Sequence, residues 1–141
     1  MTGILPTGIK FGPDGALYVA DWINGWNTKN YGRVWKIDVT KDKNDYENLR
    51  QETKRLIQLN YPSQSDEMLY SLLSNVDFRI RLKAQFELVN RGKSGFLLLN
   101  KAILQTDNQL ARVHGIWGIG QLARQNRGFA APLMALLKDK D

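Results

Sequence analysis

Gly12-Pro13-Asp14-Gly15-Ala16-Leu17-Tyr18-Val19-Ala20-Asp21 is a turn followed by a run of strand-forming residues. Proline fixes φ at the second position of a turn, aspartate favours the third, and glycine supplies a positive φ where the next strand begins. Before the turn, residues 7–11 alternate polar and apolar side chains. The pattern predicts a β-hairpin.

A third strand is predicted from Arg33 to Asp38. Strict alternation places Val34 and Lys36 on one face, with Trp35 and Ile37 on the other. Residues 1–40 also hold six of the 12 glycines and three of the four tryptophans. This composition is typical of strands and turns, so residues 7–38 are predicted to form an antiparallel β-meander.

The rest of the chain has a helical pattern. Residues 41–62 are interpreted as a charged linker with a helix from Tyr46 to Leu59, which Pro62 ends. Ser63 to Asp66 resembles a capping box, and Asp77 is a candidate cap for the next helix. Residues 63–141 are interpreted as a separate helical region, with helices predicted over 77–91, 94–105, 108–125 and 132–138.

The helical region repeats with a period of 31 residues. Shifted by this amount, Leu72 aligns with Ile103, Arg81 with Arg112, and Phe86 with Trp117. Each unit is a short helix, a polar turn and a longer helix that begins near an arginine. Such units stack because one alone cannot bury its apolar face. The fold class predicted is α+β, with domains at 1–40, 41–62 and 63–141.

Composition excludes several classes of protein. The chain has 141 residues, no cysteine, one histidine and a net charge of +6. Thiolate metal sites, disulfides and haem attached through cysteines are therefore impossible in this chain, and no metal site is predicted. No apolar run is long enough to span a membrane, and residues 1–6 lack the features of a signal peptide. The basic residues are dispersed among acids, which is not typical of nucleic-acid binding.

The best candidate binding residues lie on or beside the loop between the second and third strands. Carboxylate and amide oxygens suit Ca²⁺, an arginine suits a carboxylate, and indole rings stack on flat ligands. No catalytic residue is assigned. The candidates are Asp21, Trp22, Asn24, Trp26, Asn27 and Arg33.

A second set of residues is expected to join neighbouring helical repeats. Arg81 and Arg112 are expected to bind carboxylates or helix ends. His114 has no carboxylate within a helical turn, so it is predicted to be a packed or capping residue between repeats, and Trp117 is expected to join the repeats as well. The glycines Gly115, Gly118 and Gly120 are predicted to allow close approach of helices.

The order of these features resembles a known family of large secreted bacterial proteins. Residues 7–38, with Phe11-Gly12-Pro13-Asp14-Gly15-Ala16-Leu17-Tyr18-Val19-Ala20-Asp21-Trp22, are similar to the last blade of a β-propeller of the glucose/sorbosone dehydrogenase type. Residues 77–91 and 108–124, with Arg112-Val113-His114-Gly115-Ile116-Trp117-Gly118, resemble HEAT repeats. Together they resemble the membrane-bound dehydrogenase-like, c-type haem proteins.

The resemblance implies a role for the chain. It would be an internal fragment with a partial propeller blade and a HEAT-like α-solenoid cut within a repeat. It would link a propeller dehydrogenase domain to a cytochrome c domain, in the periplasm or outside the cell. The parent would use pyrroloquinoline quinone, Ca²⁺ and c-type haem, while this chain would hold none of them.

The role of the loop from Asp21 to Arg33 remains open. The loop could contribute to a quinone-dependent active site, or its tryptophans could pack between the propeller and the solenoid. The chain could also be a free-standing HEAT-type module with a protein partner on the solenoid. Its partners would otherwise be the other domains of the parent, with no nucleic acid.

Overall fold

The chain is an α+β protein. A computed structural model describes residues 4–23, 32–39 and 46–139. These residues form one three-stranded antiparallel sheet and six α-helices, and 59% of them are helical. They divide into two compact units, residues 1–58 and residues 59–141.

The first unit contains the predicted β-meander. Its strands are β1 (Pro6–Phe11), β2 (Leu17–Asp21) and β3 (Arg33–Ile37), in the order β1-β2-β3 with antiparallel neighbours. The predicted turn joins β1 to β2: Gly15 has a φ of 76°, and its N–H donates to the Gly12 carbonyl over 3.1 Å. The Asp14 side chain accepts from the Ala16 N–H at 3.3 Å.

Strand register places six apolar side chains on one face of the sheet. Residues directly opposite each other in antiparallel strands point to the same side. One row crosses the sheet through Ile9, Val19 and Trp35, and the next through Phe11, Leu17 and Ile37. We refer to these six residues as the apolar sheet face. Val34 and Lys36 lie on the opposite side, as the alternation predicts.

The helix α1 (Glu47–Ile57) completes the first unit. It begins and ends close to the bounds predicted from the sequence. Arg50 fastens it to the sheet: its Nε donates to the Asp14 carbonyl at 2.7 Å, and its Nη2 pairs with the Asp38 carboxylate at 2.9 Å. The turn between β1 and β2 and the end of β3 are thereby bound to one guanidinium.

The second unit is helical. Short 3-10 turns lie at Tyr61–Ser63 and Arg127–Ala130. Buried leucine, isoleucine and alanine side chains of the second, third, fourth and fifth α-helices form the core. The α-helices of this unit are α2 (Asp66–Leu72), α3 (Phe78–Asn90), α4 (Lys93–Ile103), α5 (Gln109–Gln125) and α6 (Ala131–Leu136).

Two of the longer helices begin at side-chain caps. Asp77, the predicted cap of α3, accepts from the Arg79 N–H at 2.8 Å, and Asn108 at the start of α5 accepts from the Ala111 N–H at 3.0 Å. The capping box predicted at Ser63 is wrong, because Ser65 caps α2. Ser63 lies in the preceding 3-10 turn, where Pro62 already fixes the backbone.

The 31-residue period also appears in the helix bounds. The helices α2 and α4 end at Leu72 and Ile103, and α3 and α5 begin at Phe78 and Gln109. Both pairs of bounds are one period apart. The helix α4 packs against both α3 and α5.

Glycines allow α4 to pack this closely. A Cβ on Gly95 would lie 1.7 Å from the Leu88 carbonyl oxygen, and one on Gly118 would lie 2.7 Å from a Leu99 methyl group. A Cβ on Gly115 would meet the Leu99 carbonyl oxygen at 2.9 Å. Gly120 is different, since among the described residues no atom outside the adjoining backbone of its own helix lies within 4 Å of its Cβ position. Close packing therefore explains the first three glycines, and the prediction for Gly120 is wrong.

Alanine substitutions at Gly95 and Gly120 are expected to have opposite effects on stability. Gly95→Ala forces the backbones of α3 and α4 apart and should lower the free energy of unfolding by about 1–3 kcal/mol. Gly120→Ala meets open space and should raise it by about 0.5–1 kcal/mol through helix propensity. Urea denaturation of both variants measures the difference. Equal effects would contradict the packing described here.

Candidate functional site

The carboxylate of Asp21 is the most highly coordinated polar group of the first unit. The residue is only 3% exposed at the end of β2. One carboxylate oxygen accepts from the backbone N–H groups of Leu5 at 2.8 Å and Ile23 at 2.9 Å. The other accepts from Arg33 Nε at 3.0 Å and Trp35 Nε1 at 2.9 Å, and lies 2.8 Å from Arg33 Nη2.

These donors keep the carboxylate ionised. Burial alone would raise the pKa of Asp21, but the hydrogen bonds from Trp35, Leu5, Ile23 and Arg33 outweigh it and hold the pKa well below its usual value. The Arg33 guanidinium also lies over the Trp35 ring, 4.7 Å from its centroid. The network therefore fixes the position of an indole on the apolar sheet face.

The left-handed backbone of Ile23 belongs to the same network. Its φ is 71°, which β-branched residues rarely adopt. In this conformation its N–H donates to the Asp21 carboxylate. The hydrogen bond compensates part of the strain in the backbone.

Of the six predicted binding residues, three can be placed. The structure brings Asp21 and Arg33 into one ion pair, and the Trp22 N–H donates to the Leu5 carbonyl at 2.9 Å. The Trp22 side chain is partly exposed. Asn24, Trp26 and Asn27 lie outside the described residues.

A polar cleft of about 330 Å³ lies between α1 and the end of the sheet. Lys36 Nζ is 2.8 Å from Asp14 and 3.6 Å from Asp38, and Tyr18 donates to Asp14 at 3.0 Å. The hydrogen bond from Lys36 is the main cause that lowers the pKa of Asp14 to about 2. The acids and bases that line the cleft are largely paired with each other.

In the second unit, His114 begins a chain of buried hydrogen bonds. The residue is 2% exposed, and its Nδ1 lies 2.7 Å from Gln85 Oε1. Gln85 Nε2 in turn donates to Gln121 Oε1 at 3.0 Å. Since the Gln85 oxygen accepts, Nδ1 carries the proton of the neutral imidazole. The chain links α3 to α5.

The surroundings of His114 favour the neutral ring. Burial lowers the pKa of His114 to about 4, and the nearby Arg81 charge contributes to the shift. The ring packs edge-on against Trp117 at 5.1 Å and lies 6.1 Å from the Phe78 ring. No carboxylate among the described residues bonds to it, so the arrangement lacks the acid partner of a general base.

The arginines expected to join repeats bind carbonyl and carboxylate groups. Arg81 Nη1 donates to the carbonyls of Asn75 at 2.6 Å and Val76 at 2.9 Å, in the turn after α2. Arg112 Nη2 pairs at 2.5 Å with Asp139, which follows α6. Each arginine therefore fixes a helix to a connecting segment.

Arg91 bonds to two carboxylates and to a backbone carbonyl. The sequence patterns do not indicate this role. Arg91 pairs with Asp66 and with Glu87, the latter at 3.1 Å, and donates to the Gln64 carbonyl at 2.7 Å. An arginine at the end of a helix is a common pattern, so its partners 25 residues or more away could not be inferred from sequence.

The described part of the chain has neither a cluster of side chains for a metal ion nor a helix that could span a membrane. No three His, Asp or Glu side chains there are close enough to hold a metal ion. None of the helices described is both long and apolar enough to cross a membrane.

Comparisons with known proteins gave no match. No protein-family model, curated protein or solved structure matches this chain.

The Asp21 network is expected to make stability depend on pH below about 4. The pKa of Asp21 is lowered in the folded state. The contribution of Asp21 to the free energy of unfolding is therefore complete above the ordinary pKa of 3.8 and is lost as the pH falls from 3.8 towards the lower pKa of the folded state. Asp21→Asn should be less stable at pH 7, and its deficit should shrink below pH 3.8. Asp107→Asn, an exposed carboxylate, is the control. Urea denaturation from pH 7 to pH 3 measures both; a deficit that stays constant would contradict this.

His114 is expected to act in a higher pH range. Protonation is unfavourable in the folded state, so stability should be complete above pH 6.5 and fall as the pH drops towards 4. His114→Asn keeps an N–H donor for Gln85 but cannot titrate in this range. It should lose stability at pH 8 because the ring is missing, yet vary little between pH 7 and pH 5. Parallel slopes for the two proteins, measured by urea denaturation, would show that His114 is not held neutral.

Proposed function

We propose that this chain is a non-catalytic scaffold segment. Its sheet packs against another β-sheet of a larger protein, and its helices form a stack of repeats that follows this β domain. The observation that carries the proposal is the apolar sheet face, which the described residues leave uncovered.

The exposure of this face is unusual for a folded sheet. Ile9 is 68% exposed and Phe11 64%, and Trp35 and Ile37 are exposed as well. Six apolar residues in two straight rows form one contiguous patch, which marks an interaction surface. Strands with β-branched and aromatic residues on one side pack onto a second sheet about 10 Å away.

The topology of the sheet supports the proposal that it is part of a propeller blade. It is an antiparallel meander of three adjacent strands, whereas propeller blades are four-stranded meanders with neighbouring blades on both faces. We propose that a neighbouring blade covers the apolar sheet face. The similarity of residues 7–38 to the last blade of a sugar-dehydrogenase-type propeller supports the same proposal.

The helical unit supports the second part of the proposal. Its helix pairs recur at 31 residues, and α4 packs between the preceding and following helices. This is how HEAT-like repeats stack into a solenoid. Arg81 and Arg112 occupy equivalent positions in the two repeats and bind connecting segments in both.

The resemblance extends the proposal to the parent protein. In it the segment would connect a quinone-dependent dehydrogenase domain to a cytochrome c domain in the periplasm, with pyrroloquinoline quinone, Ca²⁺ and haem held elsewhere. The Asp21 network supports a scaffold rather than a contribution to the active site. Protein donors occupy both Asp21 oxygens, and a bound cation would have to displace them.

Matched lysine substitutions on the two faces of β3 test the proposal. The isolated chain should self-associate through the apolar sheet face. Ile37→Lys puts a charge on this face and should weaken association by about tenfold or more, since burying an unpaired charge is costly. Val34→Lys adds the same charge to an exposed position on the opposite face and should leave association unchanged.

Sedimentation velocity at several concentrations provides the measurement, and dye binding by anilinonaphthalene sulfonate provides a second. A wild-type chain that is monomeric and binds no dye would refute the proposal. Equal effects of the two lysines would show that association uses another surface.

A further inference from the structure

A groove lies on the exposed side of α3 and α5. It has a volume of about 490 Å³ and mostly apolar walls. Phe86 from α3 is 45% exposed and Trp117 from α5 is 50% exposed, although both are large apolar residues. We call this surface the α3–α5 groove; its lining is Leu82, Gln85, Phe86, Ile116, Trp117, Gly120, Gln121 and Arg124.

We propose that the α3–α5 groove binds an amphipathic helix that carries carboxylates at one end. The shape, the charge and the polar groups of the groove each support this occupant. The proposal concerns the second unit alone and does not depend on what covers the apolar sheet face.

The floor of the groove has room for a side chain. Gly120 lines it, and in the described part of the chain no atom beyond the adjoining backbone of α5 lies within 4 Å of the position that its Cβ would occupy. A glycine within a helix costs about 0.5–1 kcal/mol relative to alanine. Gly115 and Gly118 are compensated by their close packing, whereas Gly120 gains nothing from contacts within the described residues. An inserted side chain of a partner would supply the missing contact.

The charge of the groove is of one sign. Arg124 is its only charged lining residue, and no described carboxylate bonds to it. The chain contains no Asp or Glu from residue 108 to residue 138, where it has four Lys and Arg. Gln121 accepts from Gln85 through its oxygen, which leaves its amide N–H groups as donors beside Arg124. A ligand rich in acceptors complements both groups.

The backbone around the groove favours a helix over an extended strand. Both walls are α-helices, whose N–H and C=O groups are bonded within each helix, so the groove offers no edge for strand addition. A third helix fits between two others by packing its side chains into their grooves. Side chains four residues apart on such a helix lie on the same face, so two of them can enter the groove together.

The helix α4 of a second copy is a poorer match. Leu97 of α4 and Leu104, which follows the helix, are exposed, but the charged residues of α4 are Lys93 and Lys101. Arg124 would repel lysines that approached it, since like charges repel. The charge pattern therefore favours an acidic partner other than α4.

Two synthetic peptides test the inference with the full chain. Each is an alanine-based helix of about 18 residues, long enough to be helical in water, with two leucines four residues apart. The acidic peptide has three glutamates after the leucines, and the basic peptide has lysines in their place. Fluorescence anisotropy of a labelled peptide gives the affinity.

The wild-type chain should bind the acidic peptide saturably and at least tenfold more tightly than the basic one. Gly120→Leu fills the open space beside Gly120 and should weaken this binding at least tenfold. Gly120→Ala fills less of this space and should weaken the binding less. Arg124→Glu should reverse the preference towards the basic peptide. Lys101→Glu, the same charge change on α4, is the control and should have no effect.

Several results would overturn the inference. These are the absence of saturable binding, equal affinity for the two peptides, or a preference that Arg124→Glu leaves unchanged. Sedimentation could instead show a dimer that dissociates on Gly120→Leu or Arg124→Glu. The groove would then bind a second copy of the chain, which would contradict the proposal. Circular dichroism checks that each variant remains folded. Leucine and alanine both favour a helix more than glycine does, so neither substitution at position 120 should unfold α5.

Discussion

A polar group that loses its contact with water must find its partners in the protein, and this constraint shapes both units. In the sheet, the buried carboxylate of Asp21 is bonded by two backbone groups and by two side chains of β3. In the helical unit, His114 is buried next to an arginine, so it remains neutral and donates to a glutamine. Each network fixes the geometry around it, since breaking any one bond leaves a charge or a donor unpaired.

Some apolar surfaces of the protein are buried, whereas others are exposed. Inside the helical unit, glycines bring the backbones of α3, α4 and α5 so close that leucine and alanine side chains fill the space. The apolar sheet face and the mostly apolar α3–α5 groove remain exposed among the described residues. Exposed surfaces of this kind reduce solubility, so a protein retains them where a partner covers them.

Local patterns in the sequence were sufficient to predict the elements. The turn at Gly12 to Gly15, the alternation along β3 and the cap at Asp77 depend on neighbouring residues only. The 31-residue period predicted the spacing of the helices because each repeat uses the same internal packing. The capping box failed at Ser63 because two serines near a proline offer alternative caps, and only the tertiary fold selects between them.

The site features that could not be predicted depend on contacts between distant residues. Asp21 and Arg33 are both predicted to bind a ligand, but their ion pair with each other and the Trp35 donor become visible only in the register of β2 and β3. Gln85 lies 29 residues from His114, and sequence alone does not indicate that the two meet. Gly120 looked like Gly115 and Gly118, whereas the surroundings of the three residues differ. The lack of acids between residues 108 and 138 was a signal that could have pointed to the groove.

The coordination of Asp21 also determines how far this sheet could diverge in evolution. Glutamate is longer by a methylene group, and asparagine would turn an N–H₂ group towards donors, so neither can accept the same bonds. Arg33 and Trp35 must keep their spacing, because they alternate with Val34 and point to the same side as Asp21. Ile23 also donates from the backbone just after Asp21, so the start of this segment belongs to the same geometry. An aspartate that ends one strand, followed in the next strand by Arg-x-Trp, is therefore the sequence signature by which distant relatives of this sheet could be recognised.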